Sequence, residues 1–288
     1  MVRSRVVNAS NRFSSFLIGA LAIAVAGSSS PAFARPTRVH LKNAPIILVR
    51  DKSGNPVASI DNQLISENWS GYVLSTVETR KRYKSASASW VVPEVTYQGV
   101  QAISANWVGI GGFCKSKKCK PDKTLIQLGT YQAAFSEGDI EYFAWYEMIP
   151  AASIPIDTID VSPGDTMTAS LTCAGKCKNN QKWTLSIDDV TSGQSFSQVF
   201  SYKSSKLSVD WIEEAPSSGS GILPLADFDK TFFTASVVNG DSANLDDAIS
   251  LQMQNPNGQF SSVAPPDSSM DGFAACFSDS GFVACTDP

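Results

Sequence analysis

From residue 69 onward the chain is a succession of short apolar runs in which side chains alternate between apolar and polar. Clusters of Gly, Ser, Asn, Asp and Pro separate the runs. A period of two marks half-buried strands, and the clusters carry turn chemistry. Eleven strands are predicted. The first six are Trp69–Thr76, Ala86–Val92, Ala105–Ile110, Leu125–Tyr131, Tyr142–Met148 and Met167–Cys173. The other five are Lys182–Asp188, Ser195–Phe200, Ser208–Glu213, Phe232–Val238 and Ala248–Met253. No helical periodicity lasts three turns and no internal repeat is visible, so an all-β sandwich or barrel is expected.

Alternation also assigns faces. Asp210, Ile212 and Glu214 share one side of their strand, with Trp211 and Glu213 on the other. Leu125, Gln127, Gly129 and Tyr131 oppose Ile126 and Leu128. A long amide within Leu-Ile-Gln-Leu-Gly needs a buried partner or a cleft. Taken singly, the exposed face of a half-solvated sheet would explain any of these polar residues, Glu147 and Asp227 included.

The segments outside the strand pattern have their own character. Arg3, Arg5 and Arg12 precede an apolar stretch, Phe16 to Gly27, and Ala32-Phe33-Ala34 follows with small residues where a signal peptidase reads. Residues 1–34 are therefore expected to be a signal peptide, and the protein to be secreted and free of the membrane after its removal. Residues 35–61 carry Arg35, Arg38, Lys42, Arg50 and Lys52 and the turn sequence Asp51–Pro56. They are expected to be a propeptide or N-terminal arm, ahead of a domain at 62–288. The stretch from Asn255 is rich in Pro, Ser and Gly as far as Cys276 and reads as a tacked-down extension over 255–288.

Composition narrows the chemistry. Six cysteines fall in close pairs, Cys114 with Cys119, Cys173 with Cys177 and Cys276 with Cys285. In a secreted chain an even count favours disulfides, with local pairing one of about fifteen connectivities. Loss of the leader's three arginines takes the formal net charge of −4 to −7, which argues against nucleic acid as a partner. The single histidine, His40, precedes the strands. Histidine-dependent serine and cysteine hydrolases are thereby excluded, as are the usual zinc hydrolases, and no metal or cofactor is expected. No glycine-rich nucleotide loop appears. Carboxylates remain for acid–base work, with amides and aromatics as helpers.

Seven blocks then occur in order: Asn68-Trp69-Ser70-Gly71-Tyr72-Val73, Ser89-Trp90-Val91-Val92-Pro93, Asn106-Trp107-Val108-Gly109-Ile110, Leu125-Ile126-Gln127-Leu128-Gly129, Ala144-Trp145-Tyr146-Glu147, Trp211-Ile212-Glu213-Glu214 and Pro224-Leu225-Ala226-Asp227-Phe228. This succession resembles the glutamic peptidases, the eqolisins. The resemblance implies a sandwich of two curved antiparallel sheets, similar to legume lectins and bacterial glucanases. It implies an acid-acting endopeptidase, expected to be monomeric, on protein or peptide substrates, with Gln127 and Glu214 as the catalytic pair on the concave face. Trp69, Trp145 and Glu147 match positions that line or support the cleft.

Three positions depart from the family pattern. Gly111 replaces an aspartate expected to support the cleft, Leu128 replaces a threonine expected beside the pair, and Glu213 replaces an apolar residue. The adjacent glutamates leave a one-residue shift open. Two other functions fit the fold class. A glycosidase would use Glu147 and Glu214 about 5–5.5 Å or about 6.5–9.5 Å apart, but the nearest sequence to a glucanase motif, Glu137-Gly-Asp139-Ile-Glu141, has the wrong spacing. A non-catalytic lectin-like domain would stack a ligand on the concave aromatics. The basic residues of 35–61 could lie over the cleft carboxylates as an inhibitory segment. The Asn68-Trp69-Ser70 sequon is expected to be unmodified, since it lies within a strand block.

Overall fold

The computed structural model describes residues 41–59, 61–76, 82–113 and 122–286. The first half of the chain supplies β1 (Leu64–Ser66), β2 (Trp69–Ser75), β3 (Ser85–Val91), β4 (Ala102–Gly111), β5 (Leu125–Ser136), β6 (Asp139–Met148) and β7 (Ile154–Pro155). Next come β8 (Thr166–Cys173), β9 (Lys182–Asp189), β10 (Ser195–Ser201), β11 (Ser208–Glu214), β12 (Ser217–Ser218) and β13 (Gly221–Ile222). Last are β14 (Lys230–Val238), β15 (Asp241–Ser242), β16 (Ile249–Gln254), β17 (Phe260–Val263) and β18 (Phe273–Ser278). Each of the eleven predicted runs lies on one of these strands.

Sixteen strands form one ladder, whose main path runs β10-β9-β8-β3-β14-β18-β17-β16-β2-β11-β4-β5-β6-β7. All its pairings are antiparallel except β1 with β16. The ladder folds over, so that β4 and β5 face β3, β8 and β9 across a core. This is the expected sandwich, with its two layers continuous through β16, β17 and β18. The stretch beyond Asn255 thus provides two strands of that junction, and a Cys276–Cys285 disulfide ties down its end. Cys173 and Cys177 are also paired, while Cys114 and Cys119 lie outside the described residues.

The outer layer obeys simple alternation. In β3 Ala86, Ala88 and Trp90 point inward and Ser85, Ser87 and Ser89 lie at the more exposed positions; β8 and β9 bury Met167, Ala169 and Leu171, and Trp183, Leu185 and Ile187. Phe233 stacks on Phe273 at 4.9 Å within this core, and burying each such side chain contributes roughly 1.5–3 kcal/mol. By contrast β2, β4 and β11 are buried on both faces. One face joins the inter-layer core through Val108, Ile110, Ile126, Leu128 and Trp211. The other carries Trp69, Ile103, Trp107, Tyr131, Trp145 and Ile212, against which Leu41 and Leu48 pack. Close approach of β2 and β11 requires Gly71: a Cβ there, at φ +140°, would lie 2.0 Å from the Trp211 carbonyl oxygen.

Leu41 and Leu48 belong to the arm, which lies against the domain. Lys42 bridges Ser217, Leu48 bridges Ser66, and Ala58 bridges Leu64. Asn68 fastens it from inside, accepting the Ile47 N–H at 2.9 Å and donating to the Ala44 carbonyl at 3.4 Å. A buried amide with these partners leaves the sequon inaccessible in the folded protein.

Candidate active site

Three neighbouring rungs of β11, β4, β5 and β6 make the floor of the face turned away from the inter-layer core, the face the arm covers. Asp210, Gly109, Gln127 and Glu147 lie side by side on the first. Ile212, Trp107, Gly129 and Trp145 form the second, and Glu214, Ala105, Tyr131 and Phe143 the third. Trp69 of β2 adjoins Glu214 on that third rung. A strand period of two puts all these side chains on one side. Gln127, Glu147, Glu214, Tyr131, Trp69 and Trp145 are therefore gathered on one surface.

The hydrogen bonds on this surface are specific. Gln127 Nε2 donates to Glu147 Oε2 at 2.9 Å. Gln127 is thereby joined to Glu147 and shares no direct hydrogen bond with Glu214. Trp107 Nε1 donates to Glu214 Oε2 at 2.8 Å, and the Trp107 ring meets Trp69 edge-on at 5.0 Å. The arm supplies the remaining donors: Asn43 N–H to Glu147 Oε2 at 3.1 Å, and Ala44 N–H to Glu214 Oε1 at 3.2 Å. Consecutive backbone nitrogens are about 3.5 Å apart, so the two acceptor oxygens lie within about 10 Å of each other. Among the described residues, Gln127 Oε1, Glu147 Oε1 and the indole nitrogens of Trp69 and Trp145 have no hydrogen-bond partner.

Burial controls the ionisation of these groups. It raises Glu147 to about 7, against the opposing pull of Asn43, Gln127 and Lys42. Glu214 is pushed well above the usual carboxylate range, by burial first and then by the charge of Glu147. The Ala44 N–H, Trp107 and Trp69 act the other way, although the Trp69 indole closes no full hydrogen bond. The charge of Glu147 thus holds Glu214 toward its protonated form, while burial alone raises Glu147.

The arm's cover differs from the electrostatic one expected. Lys42, Arg50 and Lys52 are exposed, and Arg50 donates to the Gly54 carbonyl. Backbone N–H groups make the hydrogen bonds to the carboxyls, and of these three residues Lys42 acts on Glu147 through its charge alone. Arg35, Arg38 and His40 lie outside the described residues.

The departures from the family pattern also resolve. Leu128 was expected to leave the pair short of a hydroxyl, but it points into the inter-layer core because alternation sets it opposite Gln127. Glu213 likewise faces the inter-layer side, where Asn106 donates to it, while Glu214 faces the cleft. At Gly111, φ is +102° and a Cβ would lie 2.2 Å from the Thr124 carbonyl oxygen, so the backbone admits no aspartate there. A carboxylate is nonetheless present: Asp122 Oδ2 lies 3.4 Å from that hypothetical Cβ, and Thr124 and Ser205 hold Asp122 in place. Asp227 stays in a half-buried loop with Gln98, away from this floor.

Asn43, Ala44 and Asp122 went unrecognised in the sequence, and Trp107 was read only as part of its block. The two arm contacts are made through backbone N–H groups, which any residue but proline offers. Trp107 was discoverable, since alternation places it on the Ile103 and Ala105 face of β4.

Residues 67–271 match the peptidase A4 family. The chain is 25% identical over 254 residues to aspergillopepsin-2 of Aspergillus niger, covering 77% of this chain and 84% of that protein. It is 29% identical over 203 residues to scytalidopepsin B of Scytalidium lignicola, covering 66% and 70%. Its structure is similar to that of scytalido-glutamic peptidase with a peptide-based transition state analog, with TM-score 0.56 and 26% identity over 74% of this chain and 98% of the other.

Proposed function

Since the chain belongs to the peptidase A4 family and is thus a glutamic peptidase, we propose that it is a secreted, acid-acting endopeptidase in which Glu214 and Gln127 activate water. The observation that carries this reading is the single surface holding Gln127, Glu147 and Glu214, on which a peptide segment of the chain itself is seated.

Glu214 as carboxylate takes a proton from a water molecule, whose oxygen attacks the peptide carbonyl carbon. Gln127 donates an Nε2–H to the oxyanion that forms. Its other Nε2–H stays on Glu147, which fixes the amide plane, and its Oε1 is free to accept from the water. Protonated Glu214 then delivers its proton to the leaving nitrogen as the C–N bond breaks, giving a carboxylic acid and an amine. Trp107 holds Glu214 Oε2, so that Oε1 is the oxygen presented to water once the Ala44 N–H has left.

The arm makes the full chain latent in this reading. With Asn43 and Ala44 in place the catalytic groups are fully buried, and no extended substrate can share the floor. Secretion is supported by the leader-like sequence of residues 1–34 and by two disulfides, which persist in oxidising compartments. Among the described residues no helix is long and apolar enough to cross a membrane. A single chain carries every group the mechanism uses, which supports a monomer.

The test is digestion of denatured casein between pH 2 and 7. Peptide release on the acid side is expected, insensitive to chelators and to serine- and cysteine-directed inhibitors, and abolished by Gln127→Ala or Glu214→Ala. Full activity in either variant would refute the mechanism.

A further inference from the structure

The arm is a peptide lying in a peptidase cleft, so its side chains report on the pockets there. Asn43 is held twice: its backbone N–H reaches Glu147 Oε2 at 3.1 Å, and its side-chain Nδ2–H reaches the Tyr131 hydroxyl at 2.6 Å. The next residue's N–H is the one on Glu214. Asn43 therefore sits beside the reacting groups. Its side chain lies against a phenol on the rung of Glu214.

Tyr131 is fixed. Its ring stacks on Trp145 at 4.6 Å and 24° and tilts against Phe143 at 5.1 Å, and it is fully buried. The hydroxyl is thus a polar atom set among aromatic rings, unable to swing away from whatever is seated there. An apolar side chain in the place of Asn43 would take away one of that hydroxyl's two side-chain partners and leave it to Ser153 alone, and a buried polar group short of a partner is costly. An aspartate would add a negative charge beside Glu147 and Glu214, and a lysine would bury an ammonium group. A primary carboxamide brings a donor without charge.

We propose that Tyr131 is a specificity-determining residue and that the pocket occupied by Asn43 is a subsite selecting carboxamide side chains, asparagine first, in peptide substrates. This rests on reading the cleft as that of a working peptidase, and it goes further by naming the side-chain class selected and the atom that selects it.

The test uses the full-length protein, wild type and Tyr131→Phe, each incubated at acid pH with a proteome-derived peptide mixture whose new termini are read by mass spectrometry. The wild type is expected to enrich asparagine at one fixed position beside the cut. Matched peptides carrying asparagine or leucine at that position then give a ratio of kcat/KM. Tyr131→Phe keeps the stacked ring, and the ratio is expected to fall about tenfold. A thermal melt confirms that the variant is folded. An unchanged ratio in folded Tyr131→Phe overturns the proposal. So does a wild type that cuts many peptides with no asparagine preference, a result that leaves the peptidase reading standing. No digestion by the wild type anywhere between pH 2 and 7 overturns both.

Discussion

Glu213 makes the fold's stability depend on pH, and replacing it by glutamine isolates that dependence. The carboxyl lies in the inter-layer core beside Asn106, fully buried, and its Oε1 has no hydrogen-bond partner among the described residues. Burial raises it from 4.5 to about 8, with Ser104, Asn106 and the Ala105 N–H opposing. A carboxyl whose folded pKa lies above its unfolded value binds protons more tightly when folded. Its contribution is therefore complete below about 4.5 and is lost as pH rises through about 8. The interval is about 3.5 pH units at 1.36 kcal/mol each, so up to about 5 kcal/mol disappears between acid and mildly alkaline solution. Glutamine preserves the shape and the amide partner but does not titrate. Urea denaturation of wild type and Glu213→Gln at each pH from 3 to 9 reads the difference directly. The two curves are expected to lie close together at pH 3–4 and to separate above pH 5, with the variant the more stable by several kcal/mol at pH 9. Curves that stay parallel over the whole range would refute the reasoning.

Other outcomes follow from the cleft. Trp107→Phe removes the donor to Glu214 Oε2, one of the groups that lower that carboxyl's pKa, so the acid limb of the kcat/KM profile should move to higher pH; an unmoved limb contradicts the role given to Trp107. Gln127→Ala removes an oxyanion donor and should cost about 10²–10³ in kcat, measured with a chromogenic peptide under saturation. A chain beginning at Gln63 lacks the Asn43 and Ala44 contacts and should digest casein without the lag expected of the full chain. In that shortened chain the midpoint of Glu147, followed by carbon NMR of its carboxyl, should fall below about 7, because burial, its largest influence, is reduced by more than the lost pull of Asn43 and Lys42.

How much of this was legible in the residues depends on which group makes each contact. Alternation alone separated Glu214 from Glu213 and Gln127 from Leu128, because β11 and β5 carry no bulge at those positions and their registers are regular. The same rule already placed Leu128 away from the cleft, and the expectation of a hydroxyl lost beside the pair did not respect it. β17 and β18 escaped notice since Phe-Ser-Ser-Val and Phe-Ala-Ala-Cys-Phe-Ser are short, poor in β-branched residues and flanked by turn formers. Their pairing with each other and with β14 and β16 holds them as strands in spite of composition. The two bonds that place the arm on the carboxyls had no side-chain signature. Its basic residues drew attention to charge, whereas Asn43 and Ala44 meet Glu147 and Glu214 through backbone N–H groups. Asp122 lies far along the chain from Ser205, and only the folded ladder brings them together.

The central claim is that of two adjacent glutamates only the one facing the cleft performs chemistry. Casein digestion at acid pH by wild type, Glu213→Gln and Glu214→Gln, compared side by side at equal folded concentration, tests it most directly. Loss of digestion in Glu214→Gln with retention in Glu213→Gln is the predicted result. Retention in Glu214→Gln, or loss confined to Glu213→Gln, would contradict it.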